Sequence, residues 1–139
     1  MDNNDSIPKT RRFMEEVFNK GNLKAADEFM SKSFIEHNPF PGQGPGVEGF
    51  KQVMSALRQA FPDLSLAVDD IFADGEKVVI RSTMKGTHKG NFMKMPPSGK
   101  KISVEGIDIV RMADGKAVEH WGILDSLTMM QQLGAVPAA

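Results

Sequence analysis

The chain has no cysteine, no tyrosine, a single tryptophan and no surplus of charge of either sign. Without cysteine there is no disulfide, no thiolate zinc site and no cysteine nucleophile. Seventeen lysines and arginines are interleaved with eighteen aspartates and glutamates along 139 residues, so the basic stripe of a nucleic-acid binder is missing. No apolar run approaches the roughly 20 residues that span a bilayer. Met1-Asp2-Asn3-Asn4-Asp5 is acidic and polar, whereas a secretory signal starts basic and then turns apolar. The expectation is a cytoplasmic protein with neither nucleic acid nor membrane as partner. It would be one domain over the whole chain, with residues 1–5 as a disordered tail.

Motifs for bound groups are missing too. There is no phosphate-cradling GxxxxGK[ST] and no GxGxxG after a strand, and Gly42-Gln43-Gly44-Pro45-Gly46 follows no strand. Ser82, Ser98 and Ser126 lie in no nucleophile-elbow pattern. His37, His88 and His120 stand far apart and outside any ligand spacing, so no metal and no cofactor are expected.

Methionine and phenylalanine are plentiful, ten and nine respectively. Methionine fills irregular cores and also suits adaptable pockets, so these residues read either as core filler or as pocket lining. Ile7, Thr10, Phe13, Met14, Val17 and Phe18 follow helical spacing, with Pro8 in the opening turn and Gly21 as the stop. Asn22 can cap a short second helix carrying Leu23, Ala26, Phe29 and Met30. A Pro/Gly-rich loop runs from Phe40 to Gly46, and a third helix carries Val47, Phe50, Val53, Met54, Leu57 and Phe61.

The period then changes from helical to alternating. Strands are predicted at about 64–73, 76–89, 101–112 and 117–125, with hairpin turns at Asp74-Gly75 and Asp114-Gly115. Residues 90–99 form a long loop with an apolar tip, and a last helix carries Leu127, Met130 and Leu133 before Gly134. Helices first and an antiparallel meander second make an α+β fold, with a cavity between the helices and the twisted sheet.

Alternation singles out two side chains. Asp108 is the one charge on the face of Ile102, Val104, Gly106, Val110 and Met112. On the following strand His120 shares a face with Val118, Gly122 and Leu124, while Ala117, Glu119, Trp121, Ile123 and Asp125 take the other. The turn at Asp114-Gly115 makes these strands neighbours, so a carboxylate and an imidazole can meet in one dry pocket. That pair is either an acid–base site or a buried hydrogen bond that fixes strand register. His37, just before the Pro/Gly loop, reads as a residue at the cavity mouth or as a surface histidine. His88 reads as structural, holding the long loop by a hydrogen bond.

Taken in order, several segments resemble the SnoaL-like polyketide cyclases, within the nuclear-transport-factor-2-like fold. They are Phe18-Asn19-Lys20-Gly21, Gly44-Pro45-Gly46, Gly86-Thr87-His88-Lys89-Gly90 and Met95-Pro96-Pro97-Ser98-Gly99-Lys100. Asp114-Gly115-Lys116 through His120-Trp121, and Gln131-Gln132-Leu133-Gly134, complete the set. The resemblance implies a cone-shaped barrel of a curved, mainly antiparallel sheet packed on N-terminal helices, a homodimer, and an intramolecular aldol ring closure without a cofactor. It places the cyclases' acid/base aspartate at Gly122 and a pocket histidine at Asp108, and it puts an aromatic of the pocket at Phe18. The sequence looks closer to the branch loosely called ester cyclases.

Glycine cannot move a proton, so acid–base chemistry would fall to Asp108 or His120, with His37 assisting at the entrance. Phe18, Phe34, Val53, Met54, Leu57 and Phe92 would shape the pocket around a small hydrophobic carbonyl or ester compound. Two alternatives stand beside this reading: a non-catalytic domain that holds a hydrophobic metabolite, and an interaction domain whose Asp108/His120 face is filled by side chains. Ile107, Ile109, Trp121 and Ile123, on the faces opposite the cavity, would cover a partner's sheet in a dimer.

Overall fold

Pro8 lies in the first turn of a helix whose buried residues, Ser6, Thr10 and Met14, recur at every fourth position. This is α1 (Ser6–Met14) of a computed structural model that describes residues 5–137. The expected N-terminal tail lies outside the described residues except for Asp5, which is exposed and precedes α1. Beyond Met14 the backbone widens into a π-helical turn, Glu15–Asn19, before Gly21 ends the segment at φ 71°. The Asn19 amide then takes over the pairing of an edge strand: Leu66 N–H donates to its Oδ1 at 2.6 Å, and its Nδ2 donates to Leu66 O at 3.1 Å.

The second helix, α2 (Lys24–Phe29), is one turn and a half, and Asn22 makes no side-chain cap there. Met30, expected in that helix, instead opens a strand, β1 (Met30–Glu36). The third helix, α3 (Gly46–Ala60), buries Gly49, Met54, Leu57 and Ala60. A side chain at Gly49 would collide with the backbone of Gly44, so the glycine-rich loop packs directly on the helix.

The later strands are β2 (Ser65–Asp74), β3 (Lys77–Thr87), β4 (Lys101–Ala113) and β5 (Lys116–Leu124), close to the alternation read from sequence. Both tight turns form as expected, with Gly75 and Gly115 at positive φ. After them α4 (Ser126–Leu133) is capped by Asp125, which accepts from Thr128 N, and ends at left-handed Gly134.

The sheet order is β1-β5-β4-β3-β2. Four strands are an antiparallel meander, and β1 joins β5 in parallel. With β1 and β2 as its edges the sheet is open, not a closed barrel. Bulges interrupt β2 at Asp69 and β5 at Val118, where an extra residue bends the strand. The second bulge reverses one expectation. Arg111 pairs with Glu119 but Met112 pairs with Ala117, so Ala117, 1% exposed, turns inward in place of Val118.

The helices cover one face of this sheet. One buried cluster joins α3 and α4 to the sheet through Met54, Leu57, Phe61, Met84, Val104 and Met129. The other joins α1 and α2 to it through Met14, Phe29, Val78, Ile80, Val110 and Met112. Helices layered on a sheet through these two clusters make this α+β.

A candidate acid–base site in the cavity

Between the sheet and the helices lies a cavity of about 410 Å³. Phe18, Phe34, Val53, Met54 and Leu57, all expected in its wall, do line it, as do Phe13, Phe50 and Ile80. Phe92 does not. The loop tip Met93-Lys94 turns back at positive φ, Phe92 and Met95 pair across it, and the Phe92 ring packs on Phe61 at 5.4 Å. His88 anchors the base of the same loop as expected, its Nδ1 2.9 Å from Ser98 Oγ.

On β4 and β5 the pairings Asp108 with Gly122 and Val110 with His120 make Asp108 and His120 diagonal neighbours on the inner face. Both line the cavity. The His120 Nε2–H donates to Asp108 Oδ1 at 2.7 Å. Its Nδ1–H donates to the Glu36 carboxylate, 2.7 and 2.8 Å from the two oxygens. Glu36 pairs with His120 across the parallel edge and also lines the cavity. The imidazole is thus held between two carboxylates, with side chains that are 11–27% exposed.

Burial alone would lower the ring's pKa. Hydrogen bonds to Asp108 and Glu36, helped by their charges, outweigh that and raise it from 6.5 to about 9. At neutral pH His120 is an imidazolium with both ring nitrogens engaged. It therefore has no free nitrogen with which to accept a substrate proton. Asp108 lines the cavity, and its Oδ2, in contrast, has no partner among the described residues.

Gly122 is what allows this approach. A Cβ there would overlap Asp108 Oδ1 and fall 2.8 and 2.9 Å from His120 Cε1 and Nε2. Its N–H donates at 3.0 Å to Asn38 Oδ1, tying β5 to the Pro/Gly loop at the mouth. Asn38, just before that loop, and Phe40 and Gln43 within it line the cavity.

His37 is not brought to the site. Strand alternation that turns Glu36 inward turns His37 outward, where its ring stacks on Trp121 at 4.6 Å and 4°. Its Nε2–H donates to Glu119 at 2.7 Å. Glu119 also accepts from Arg111 at 2.6 Å, and the two bonds, that of His37 first, hold its pKa below the usual carboxylate range. Glu36, which sequence reasoning missed, carried one signal: it lies two residues from Phe34, on the same side of an extended segment. Among the described residues no group of three or more His, Cys, Asp and Glu side chains is arranged to hold a metal ion.

The arrangement can accept and return one proton at a fixed oxygen inside a largely hydrocarbon cavity. Against known proteins, the profile of the SnoaL-like polyketide cyclases matches residues 9–133. The aklanonic acid methyl ester cyclase DnrD of Streptomyces peucetius is 31% identical over 129 residues, covering 88% of this chain and 87% of that protein. The nogalonic acid methyl ester cyclase of Streptomyces nogalater is 28% identical, over 87% and 92% of the two chains. Among solved structures, TsrD from Streptomyces laurentii superposes with a TM-score of 0.88 at 30% identity, over 98% of this chain and 99% of its own.

Proposed function

Because the chain belongs to the SnoaL-like polyketide cyclase family, we propose that it closes a ring in a small hydrophobic keto ester by cofactor-free acid–base catalysis. One observation carries the assignment of the base: of the three groups, all lining the cavity, Asp108 alone has an oxygen without a partner among the described residues. Asp108 Oδ2 removes a proton from the carbon between two carbonyls, and the carbanion attacks a third carbonyl, farther along the same molecule. The new alkoxide takes the proton back. Substrate and product are isomers, and the carboxylate is regenerated.

His120 and Glu36 do not touch the reacting atoms in this scheme. They hold Asp108 Oδ1 and so aim Oδ2. Phe18, Phe34, Val53, Met54 and Leu57 exclude water and bind the hydrocarbon part of the substrate. The first compounds to assay are aklanonic and nogalonic acid methyl esters, after which the relatives are named. Asp108→Asn should slow the mass-neutral conversion, followed by chromatography, by roughly 100- to 10,000-fold. Equal rates in the variant and the wild type would remove Asp108 from the mechanism. Retention of an unaltered ligand, with no turnover of any keto ester, would turn the reading to a binding domain.

The proposal sets this chemistry in the cytoplasm, and no helix of the described residues is long and apolar enough to cross a membrane. It also includes a homodimer, formed by the outer face of the sheet. There Phe72, Val79, Ile109 and Trp121 make a continuous apolar row across four strands, next to exposed Ile107 and Ile123.

A further inference from the structure

Ser82 stands on the inner face of β3 between Ile80 and Met84 and is 3% exposed. It lines the cavity, and its hydroxyl has no hydrogen-bond partner among the described residues. Nor is that hydroxyl sealed inside protein, because the enclosed side-chain polar atoms left without partners are Ser6 Oγ and His88 Nε2. Its unpaired donor therefore faces cavity space. Directly across on β4 is Gly106, which has no side chain to cover it. One step along β4 is Asp108, paired with Ile80, so Ser82 and Asp108 are diagonal neighbours on the same wall.

Diagonal neighbours on a sheet are roughly 7–8 Å apart, their Cβ atoms somewhat less, within reach of both side chains through a small bridging group. A hydrogen bond of roughly 2.6–3.2 Å at each end leaves room for a carbonyl oxygen, its carbon and the carbon next to it. We infer that the Ser82 hydroxyl donates to the substrate carbonyl oxygen whose α-carbon faces Asp108. The inference rests on the ring-closure reading and adds its second contact. As the C–H bond breaks, the proton goes to Asp108 Oδ2 and the electron pair moves onto the carbonyl oxygen, where the Ser82 O–H meets the growing charge. When the carbon–carbon bond forms, that pair leaves the oxygen again. Asp108 then protonates the new alkoxide at the carbonyl that was attacked.

The test uses benzoylacetone, an aromatic β-diketone whose enolate absorbs apart from its neutral form, with naphthalene as a probe lacking oxygen. Bound to the wild-type protein, the diketone should ionise at lower pH than in Ser82→Ala, which should hold roughly ten- to a hundredfold less enolate at fixed pH. Naphthalene affinity should be the same in both proteins, and Ser82→Thr should restore most of the enolate. Asp108→Asn separates the two ideas. It should slow α-proton transfer to the bound diketone without weakening the bound enolate, since it removes a negative charge from beside it. If Asp108→Asn transfers protons as fast as wild type but Ser82→Ala still loses enolate, the ring-closure base is wrong and the carbonyl anchor stands. If Ser82→Ala binds enolate as well as wild type, or the wild type binds neither probe, the anchor is overturned.

Discussion

At the scale of single residues the site is an imidazolium clasped by two carboxylates, and its charge state has consequences that can be measured. The folded His120 pKa, about 9, lies above the ordinary 6.5. The stability that this ring contributes is therefore fully present below about pH 6.5 and is lost as pH rises through about 9. Urea unfolding should show the protein less stable at pH 10 than at pH 6.5 by about 1–3 kcal/mol, and Glu36→Gln should flatten that difference. NMR titration of the His120 ring should read the raised value directly. Gly122→Ala is the complementary test. The atoms nearest the new methyl are side-chain tips, Asp108 Oδ1 and the edge of the His120 ring, so the fold should persist while the pair is forced apart. His120 should then titrate closer to 6.5, and turnover should fall at least about tenfold because Oδ2 is no longer aimed. An unaltered His120 titration would show that the contact tolerates a side chain.

At the scale of elements, what could be read from sequence depended on whether a strand announced itself locally. On β4 unbroken alternation puts Asp108 among apolar neighbours, and its pairing with β3 runs without a break from Lys77–Arg111 to Thr87–Lys101. On β5 His120 turns inward as alternation predicts, although the bulge at Val118 sends Ala117, not Val118, to the same side. β1 gave no such signal. Ser31, Lys32 and Ser33 do not alternate, its register with β5 breaks between Met30 and Ile35, and its partner lies more than 80 residues away. Without β1 there is no means to turn Glu36 in and His37 out, so the clasp looked like a simple pair and His37 like part of it. Phe92 escaped for a similar reason, because a two-residue turn within its loop folds the tip onto Phe61. The π-helical turn is the other element that local spacing concealed, and it carries Phe18 into the cavity wall. Its anchor is Asn19, the one side chain that pairs with both backbone groups of Leu66 on the exposed edge of β2. Asn19→Ala should cost about 1–2 kcal/mol in chemical denaturation and should loosen ligand binding near Phe18. A variant as stable as wild type would mean that water replaces the amide fully.

At the scale of the whole molecule the sheet has two apolar faces, and only one is covered by helices. Of the outer residues, Phe72 is 57%, Ile107 52% and Ile123, which also borders the cavity, 71% exposed. Contiguous apolar surface of this kind is what the proposed dimer would cover. Two of the charged residues beside the row are paired within the chain, Arg81 with Asp70 and Arg111 with Glu119 and Glu76, and Lys77 Nζ lies 5.2 Å over the Trp121 ring. In the proposed dimer a second copy related by a two-fold axis would bring the same hydrocarbon row to meet this one. The consequence for the site is mechanical. Ile107, Ile109, Trp121 and Ile123 alternate with Asp108, His120 and Gly122 on the same two strands, so pairing the outer face would stiffen the backbone that sets the clasp. Ile107→Glu combined with Ile123→Glu should shift sedimentation equilibrium from about twice to once the 15.3 kDa chain mass at micromolar protein. In the monomer His120 should still titrate near 9, since none of its partners lies on the outer face, while thermal stability falls. A wild-type protein already at 15.3 kDa under those conditions would leave the outer row without a self-partner and refute the dimer.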